Sequence, residues 1–477
     1  MSAGIETRVG IAILGAGPTG IGAAWRLSQR SSSKNNGAGK TGDFLPFLLI
    51  DESTIPGGRA ASVTTPEGFT FDYGGHVLFP HAEYAEFIEL LDKVIPEWHW
   101  STPVRGVWIA NRFVPTPVQR NIHRLPLGVL TECLWGLICR SPVEAKGSEP
   151  SLQQYLEGQF GEPLTRYVMA PLNRKMWAHD PQELGSAWSS RRSGSKERNI
   201  PEVRARAVLR NLVLRRDDLG WSESTRVRYP RTGGVGAIWE RIFALLPANC
   251  RRLGLRVSRL DAGTKKLWFA DGSNIHYDHL VTSIPLDHLL GMIRDRPELQ
   301  ARSKEFRTAR VQLCGFGLNG AMPEVLRNVH AVNVPAPNFP FWRVNIPSNF
   351  SPGNVPDKEN TWSVLCESSL SRDSEIRYEP DQIEAALRQI GFLEPPSKVV
   401  SVFSTGLEHG YPVPFLGRDK LLNEVQRELE KLNIYSRGRF GGWRYEVSNQ
   451  DYAFMQGVEV ADRLRDGIAE MTYRKTW

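Results

Sequence analysis

The run Val9-Gly10-Ile11-Ala12-Ile13-Leu14 leads straight into Gly15-Ala16-Gly17-Pro18-Thr19-Gly20, and Ile21–Leu27 follows with Ala23, Ala24 and Leu27 available to one face. An apolar β-branched run, a glycine turn and then helical spacing predict the opening of a βαβ unit. In that setting each glycine has its own task. Gly15 permits the tight turn, Gly17 lets the backbone approach a pyrophosphate, and Gly20 lets helix and strand pack closely. The helix that begins around Thr19 points its N-terminus at the anion. Working outward, Ser31 to Gly42 is a Ser/Asn/Gly/Lys-rich stretch that reads as a surface loop. The next predicted strand, Phe47–Ile50, ends at Asp51, an acceptor for a ribose hydroxyl. The usual interval to that acid is about 20 residues, and the polar insert accounts for the excess here.

Three further glycine turns decide which dinucleotide is expected. Pro56-Gly57-Gly58-Arg59 lies just past Asp51, Tyr73-Gly74-Gly75-His76 follows, and Gly233-Gly234-Val235-Gly236 precedes a helix at Ile238. A glycine turn directly after the acidic strand suits a long, extended cofactor, so FAD is the expected ligand. The middle of the chain changes character. From Ala82 to Gly185 the pattern is mainly helical, with Tyr84–Val94, Leu127–Cys139 and Leu152–Phe160 as predicted helices. Between Val311 and Ser369 the alternation predicts strands with Pro-rich connections. The expected class is therefore α/β: a discontinuous Rossmann-like FAD-binding domain, an inserted helical domain and an antiparallel β-sheet domain. The predicted boundaries are 1–80, 228–300 and 400–477 for the first, 81–190 for the second, and 100–125, 191–227 and 301–399 for the third.

Composition narrows the remaining classes. The chain has 477 residues, 41% hydrophobic, with 14 Trp and 20 Phe, which is enough for a substantial core rather than wholesale disorder. Its five cysteines are scattered with no ligand spacing, so neither a disulfide framework nor a metal site is expected. No stretch reaches the ~20 apolar residues that span a bilayer, and the N-terminus lacks the pattern of a cleaved signal. A soluble, cytoplasmic protein without a membrane partner is expected. The formal charge of +7 suits a phosphorylated small molecule, and no nucleic-acid signature accompanies the basic stretch from Arg191 to Arg216.

Several blocks together resemble one family. Leu14–Leu27, Pro56–Phe79, Pro171–Trp188, Tyr229–Trp239, His409–Pro414 and Ser436–Asp462 are similar to UDP-galactopyranose mutases of the eukaryotic type. The most specific block is Ser436-Arg437-Gly438-Arg439-Phe440-Gly441-Gly442-Trp443-Arg444-Tyr445-Glu446-Val447, with Gly75–Phe79 and Asn173–Trp177 close behind. The resemblance implies an isomerase in which reduced FAD attacks through N5, forming a flavin–sugar adduct. The ring then opens and recloses between pyranose and furanose forms without net oxidation. It implies NAD(P)H as the reductant and a nucleoside-diphosphate sugar as the substrate.

The same resemblance assigns roles by position. His76 is expected beside the flavin, and Arg343 and Arg192 are expected to clamp the diphosphate, for which guanidinium forks are suited. Tyr411 and Tyr445 are expected to hydrogen-bond that diphosphate. Asn173, Trp177 and Asn211 are expected around the sugar, Arg105 near the nucleotide and Gln119 at the base. Arg439, Asn449 and Gln450 fall where the family holds its isoalloxazine. Five positions depart from the pattern. Thr116-Pro117-Val118-Gln119 lacks two aromatics, Asn333 and Ala331 replace a tyrosine and a tryptophan, and Phe350 lacks a tyrosine hydroxyl. These losses leave two chemistries open: a mutase with an altered substrate, or an FAD-dependent oxidoreductase of the amine-oxidase-like kind on the same scaffold. A binding-only protein is a third class.

Overall fold

The structure is a computed structural model that describes residues 7–29, 46–78, 82–141, 149–189, 200, 203–220 and 226–473. Its first seven-stranded sheet runs in the order Val257–Asp261, Lys266–Phe269, Asn274–Thr282, Thr7–Leu14, Phe47–Ile50, Arg251–Arg252, with Ile434–Ser436 also pairing the third of these. The strands around Thr7–Leu14 are parallel and the Val257–Phe269 hairpin adds the antiparallel edge. Thr7–Leu14 has Ile11, Ala12 and Ile13 fully buried, as a parallel strand covered on both faces requires. The helix Pro18–Ser28 packs against Gln450–Asp466 through glycines. A Cβ on Gly22 would lie 2.3 Å from the Phe454 carbonyl, and one on Gly457 would lie 1.9 Å from that of Thr19.

The second seven-stranded sheet has the order Lys398–Pro412, Thr308–Asn319, Thr361–Ser371, Arg343–Asn345, Val329–Asn333, Val104–Ile109, Arg112–Pro115. Its pairs are antiparallel except that Val329–Asn333 runs parallel to Val104–Ile109. This corrects one predicted boundary. Residues 400–412 lie in this sheet, paired to Thr308–Asn319, and not in the nucleotide-binding sheet. Strand pairing across some ninety residues leaves no local mark, and the half-exposed alternation of this edge strand fits either sheet.

A small ribbon, Ser62–Thr64 with Thr70–Asp72, joins the two units. Phe69 and Phe71 are buried, and their rings fill the space where side chains on Gly317 and Gly315 would stand, 2.5 and 2.7 Å from a built Cβ. The glycine turn after Asp72 is thereby seated on the second sheet. Beside it lies the helical unit, with Leu127–Cys139, Leu152–Phe160 and Ala170–Trp177. All five cysteines are free thiols. Among the described residues no helix is long and apolar enough to cross a membrane.

Candidate functional site

The dinucleotide end follows from the glycine turn. Gly15 has φ +99°, and a Cβ there would meet Ser283 Oγ at 2.4 Å, so only glycine fits. A Cβ on Gly20 would sit 1.8 Å from the Gly15 carbonyl oxygen. Gly17 differs. The atom nearest to its built Cβ is the Gly57 carbonyl at 3.9 Å, which leaves open space against the backbone. Gly57 N donates to Ala16 O at 2.8 Å, and Gly58 lies against Gly17, so the second glycine turn is built on the first. No side chain caps the helix that starts at Pro18, which leaves its first N–H groups for an anion. Thr19 is buried beneath Gly438, whose Cβ would lie 2.2 Å from its hydroxyl.

Asp51 accepts from Ala16 N at 2.6 Å and from Ser53 N at 2.7 Å. Burial raises its pKa above the usual carboxylate value. Each oxygen has a lone pair left for a hydroxyl. Arg59 is half-buried, burial lowers its pKa, and among the described residues it has no hydrogen bond or ion pair. A desolvated guanidinium beside an open glycine cradle fits an anionic dinucleotide.

The second sheet supplies the other half. Its register places Asn333, Arg343 and Glu367 in one row across three strands, with Ala331 and Asn345 two residues along on the same face. Arg343 stacks on Trp342 at 4.1 Å and donates from Nε to Asn333 Oδ1 at 3.2 Å. Its Nη1 lies 3.9 Å from Glu367 Oε1. Against this row sits the glycine turn, where Gly75 N donates to Glu367 Oε1 at 3.1 Å. His76 is held there with its Nδ1 buried and unpartnered among the described residues. Burial, then the Arg439 and Arg343 charges, lower its pKa to about 4 against a smaller pull from Glu367, so the imidazole is neutral at physiological pH.

Arg439 donates to Ser448 Oγ at 2.8 Å and lies between the rings of Tyr411 and Tyr445, 5.3 Å from each. The Tyr411 hydroxyl donates to Glu367 Oε2 at 3.1 Å, and burial, then the Glu367 charge, push its pKa well above the usual phenol value. Two guanidiniums, two tyrosines and a neutral histidine therefore share one partly buried region. Trp177 is placed differently from the expected substrate wall. It is fully buried beneath Tyr411, Tyr445 and Trp188, and its N–H donates to Asn173 Oδ1 at 3.2 Å. Asn173 in turn donates to Met169 O at 2.8 Å.

Gln119 is buried in a short helical turn, and Asn211 donates to the neighbouring Arg120 carbonyl at 3.3 Å. Arg105 lies beside Ala331 in the sheet and next to His330, whose pKa burial and then Arg105 lower to about 4. Arg192 lies outside the described residues. Gly234 packs on Ser62 and Asp72, where a Cβ would fall 2.4 and 2.5 Å from their oxygens. Gln450 accepts from Trp239 Nε1 at 2.7 Å, while Asn449 precedes the last helix without capping it.

Sequence reading gave no role to Glu367, Asp72, Asn121 or Lys175. Asp72 accepts from Ser62, Tyr229 and Val235 N, and Asn121 ties together Pro115, Pro117 and Asp218. The available signal was chemical: Glu367 is a carboxylate inside the otherwise uncharged strand Thr361–Ser371, and a buried charge needs partners. Asp287, His288 and His409 have ligand atoms within 4.8 Å of one another, but the Asp287 carboxylate is already held by Arg372 and His409.

A parallel sheet with stacked glycine turns, facing a second sheet that brings in cations, defines a dinucleotide-binding enzyme scaffold of the flavoprotein type. Residues 13–94 match the family described as NAD(P)-binding Rossmann-like domain. A crystal structure of reduced UDP-galactopyranose mutase is similar to this chain with 34% identity and a TM-score of 0.88, over 98% of this chain and 96% of that one. The chain belongs to the UDP-galactopyranose mutase family. Cyclohexylamine oxidase from Brevibacterium oxydans (14% identity, TM-score 0.65, 96% of this chain and 99% of that one) shares the fold alone. The same holds for a fatty acid isomerase from P. acnes (14% identity, TM-score 0.59, 95% and 98%).

Proposed function

We propose that the protein is an FAD-dependent isomerase that interconverts the pyranose and furanose rings of UDP-galactose or a related nucleoside-diphosphate sugar, without net redox. The observation that carries this reading is the meeting of Arg343, Arg439, Tyr411 and Tyr445 with neutral His76 at a glycine turn, beside an open dinucleotide cradle. The reduced flavin, when bound, supplies the nucleophile at N5. Gly15, Gly17, Gly57, Gly58 and Arg59 are the residues that would hold it.

The chain's own part is positioning and charge. Arg343, joined by Arg192, stabilises the diphosphate as it departs from the anomeric carbon and holds it for return. Tyr411 and Tyr445 hydrogen-bond that diphosphate, and Arg439 is one of the residues that would hold the flavin ring. His76, uncharged, offers a hydrogen bond without adding a positive charge next to the guanidiniums. No protein nucleophile is required. NAD(P)H is our proposed reductant, entering the same cleft in turn, and the cytoplasm the proposed location. We retain the three-unit division, with 400–412 moved to the sheet unit. The test is incubation of chemically reduced, anaerobic enzyme with a panel of nucleoside-diphosphate sugars that includes UDP-galactopyranose. A new isomer of unchanged mass, formed only with reduced flavin, is expected. No isomer from the reduced enzyme, together with bleaching of the oxidised enzyme's flavin by one of the same sugars, would leave the oxidoreductase reading instead.

A further inference from the structure

Glu367 is 2% exposed, yet four groups from three segments converge on its carboxylate. Oε1 accepts from Gly75 N at 3.1 Å and from Asn345 Nδ2 at 2.7 Å, Oε2 accepts from Tyr411 OH at 3.1 Å, and Arg343 Nη1 stands 3.9 Å away. Asn345 also closes over the glycine turn, since a Cβ on Gly75 would lie 2.4 Å from its Oδ1. A phenol carries one proton. In this arrangement the Tyr411 proton is committed to Glu367, so Tyr411 can donate to a diphosphate only by leaving the carboxylate. Arg343 faces the same choice between an internal anion and an external one.

We propose that Glu367 is a positioning residue whose carboxylate fixes the Gly75–His76 turn and competes with a diphosphate for the Tyr411 proton and for Arg343. The proposal rests on the nucleoside-diphosphate reading and deepens it. The internal anion keeps the guanidinium and phenol in place while the pocket is being entered, and it limits how tightly the leaving diphosphate is retained. Its charge is needed for the competition, because an amide oxygen can keep Gly75 N and Asn345 Nδ2 but the amide's other end is a donor and gives Tyr411 no acceptor.

The experiment measures binding of UDP and of inorganic pyrophosphate to the FAD-loaded protein, with kcat determined alongside. In Glu367→Gln the like charge is gone, so the Kd for both anions should fall by about threefold to tenfold. Turnover should drop by about tenfold or more as Tyr411 loses the acceptor that positions it. A merely structural residue would weaken both together. Glu367→Asp keeps the charge and should leave the anion Kd near the wild-type value while still slowing turnover. It also decides the matter if the glutamine variant does not fold. Unchanged or weaker anion binding in a folded Glu367→Gln protein overturns the proposal, as does tighter binding in Glu367→Asp. Wild-type protein that binds pyrophosphate but not UDP sinks the nucleotide reading and leaves the competition testable with pyrophosphate. Wild-type protein that binds neither removes both.

Discussion

His76 is half-buried between two arginines and a glycine turn, and that surrounding sets its charge more firmly than the residue type does. Its pKa, lowered from 6.5 to about 4, makes it neutral throughout the range in which an exposed histidine titrates. The sign is that of a depressed base. The unfolded chain binds the proton more readily, so this group's contribution to stability falls as pH drops below 6.5 toward 4. A ring-proton NMR titration of His76, assigned with His76→Asn, should show no step between about pH 5 and 8. A midpoint near the ordinary histidine value would mean that the site is wetter than the structure shows. At this scale the sequence was legible where chemistry is local. Gly15, Gly17 and Gly20 announce themselves because the turn needs them within six residues. Glu367 did not, because its partner Gly75 is 292 positions away and Tyr411 is 44 away.

The segment Val334–Trp342 shows how one side chain can replace regular structure. Pro335, Pro337 and Pro340 break any ladder, and the Lys175 ammonium takes up the carbonyls of Val334, Ala336 and Phe341 at 2.8, 2.8 and 2.6 Å. Burial pulls the Lys175 pKa down to about 7, against which the three carbonyls favour the ammonium form. This anchor sets where Trp342 and Arg343 re-enter the sheet. Lys175→Met should lower unfolding free energy by roughly 2 kcal/mol or more, because buried acceptors are left bare. It should also weaken UDP binding through a displaced Arg343. Denaturant melts and a UDP titration measure the two effects, and an unaltered UDP Kd would separate the loop from the site. Helices with strong internal signals were readable at this scale: Leu127–Cys139 and Leu152–Phe160 occupy the predicted spans. The strand Lys398–Pro412 was assigned to the wrong sheet because its alternation says that it is a strand but not what it pairs with.

The whole molecule is closed by its C-terminal segment, where Ile434–Ser436 returns to the first sheet. Fully buried Arg437 holds Glu470 and Glu430, while Arg463 bridges the same two carboxylates at 2.7 and 2.9 Å. Burial alone would raise the Glu430 pKa, but the Arg463 and Arg437 guanidiniums outweigh it and hold it at about 2, and Glu470 is lowered in the same way. Depressed carboxylates stabilise above their unfolded value of 4.5 and lose that contribution as pH falls toward 2. Asp72 acts oppositely. Burial raises it to about 6, so its ionisation costs stability that is recovered as pH falls from 6 to 3.8. The thermal midpoint should therefore drop steeply only below about pH 4.5. Arg437→Met should cost about 3–5 kcal/mol and flatten that drop. A variant that melts like the wild type at every pH would show that the network is not structural. The α/β class and the dinucleotide cradle were legible at this scale from the order of glycine turns, whereas the buried ion network was not, since its residues are ordinary until the chain folds.

One measurement bears most directly on the central claim of ring isomerisation without net redox. Anaerobic enzyme, given a counted number of reducing equivalents, is supplied with UDP-galactopyranose and the isomer formed is counted against the electrons supplied. Many isomer molecules per electron pair, with the flavin still reduced at the end, is the predicted result. No isomer, or at most one substrate molecule converted per electron pair with the flavin changing oxidation state each time, would contradict it.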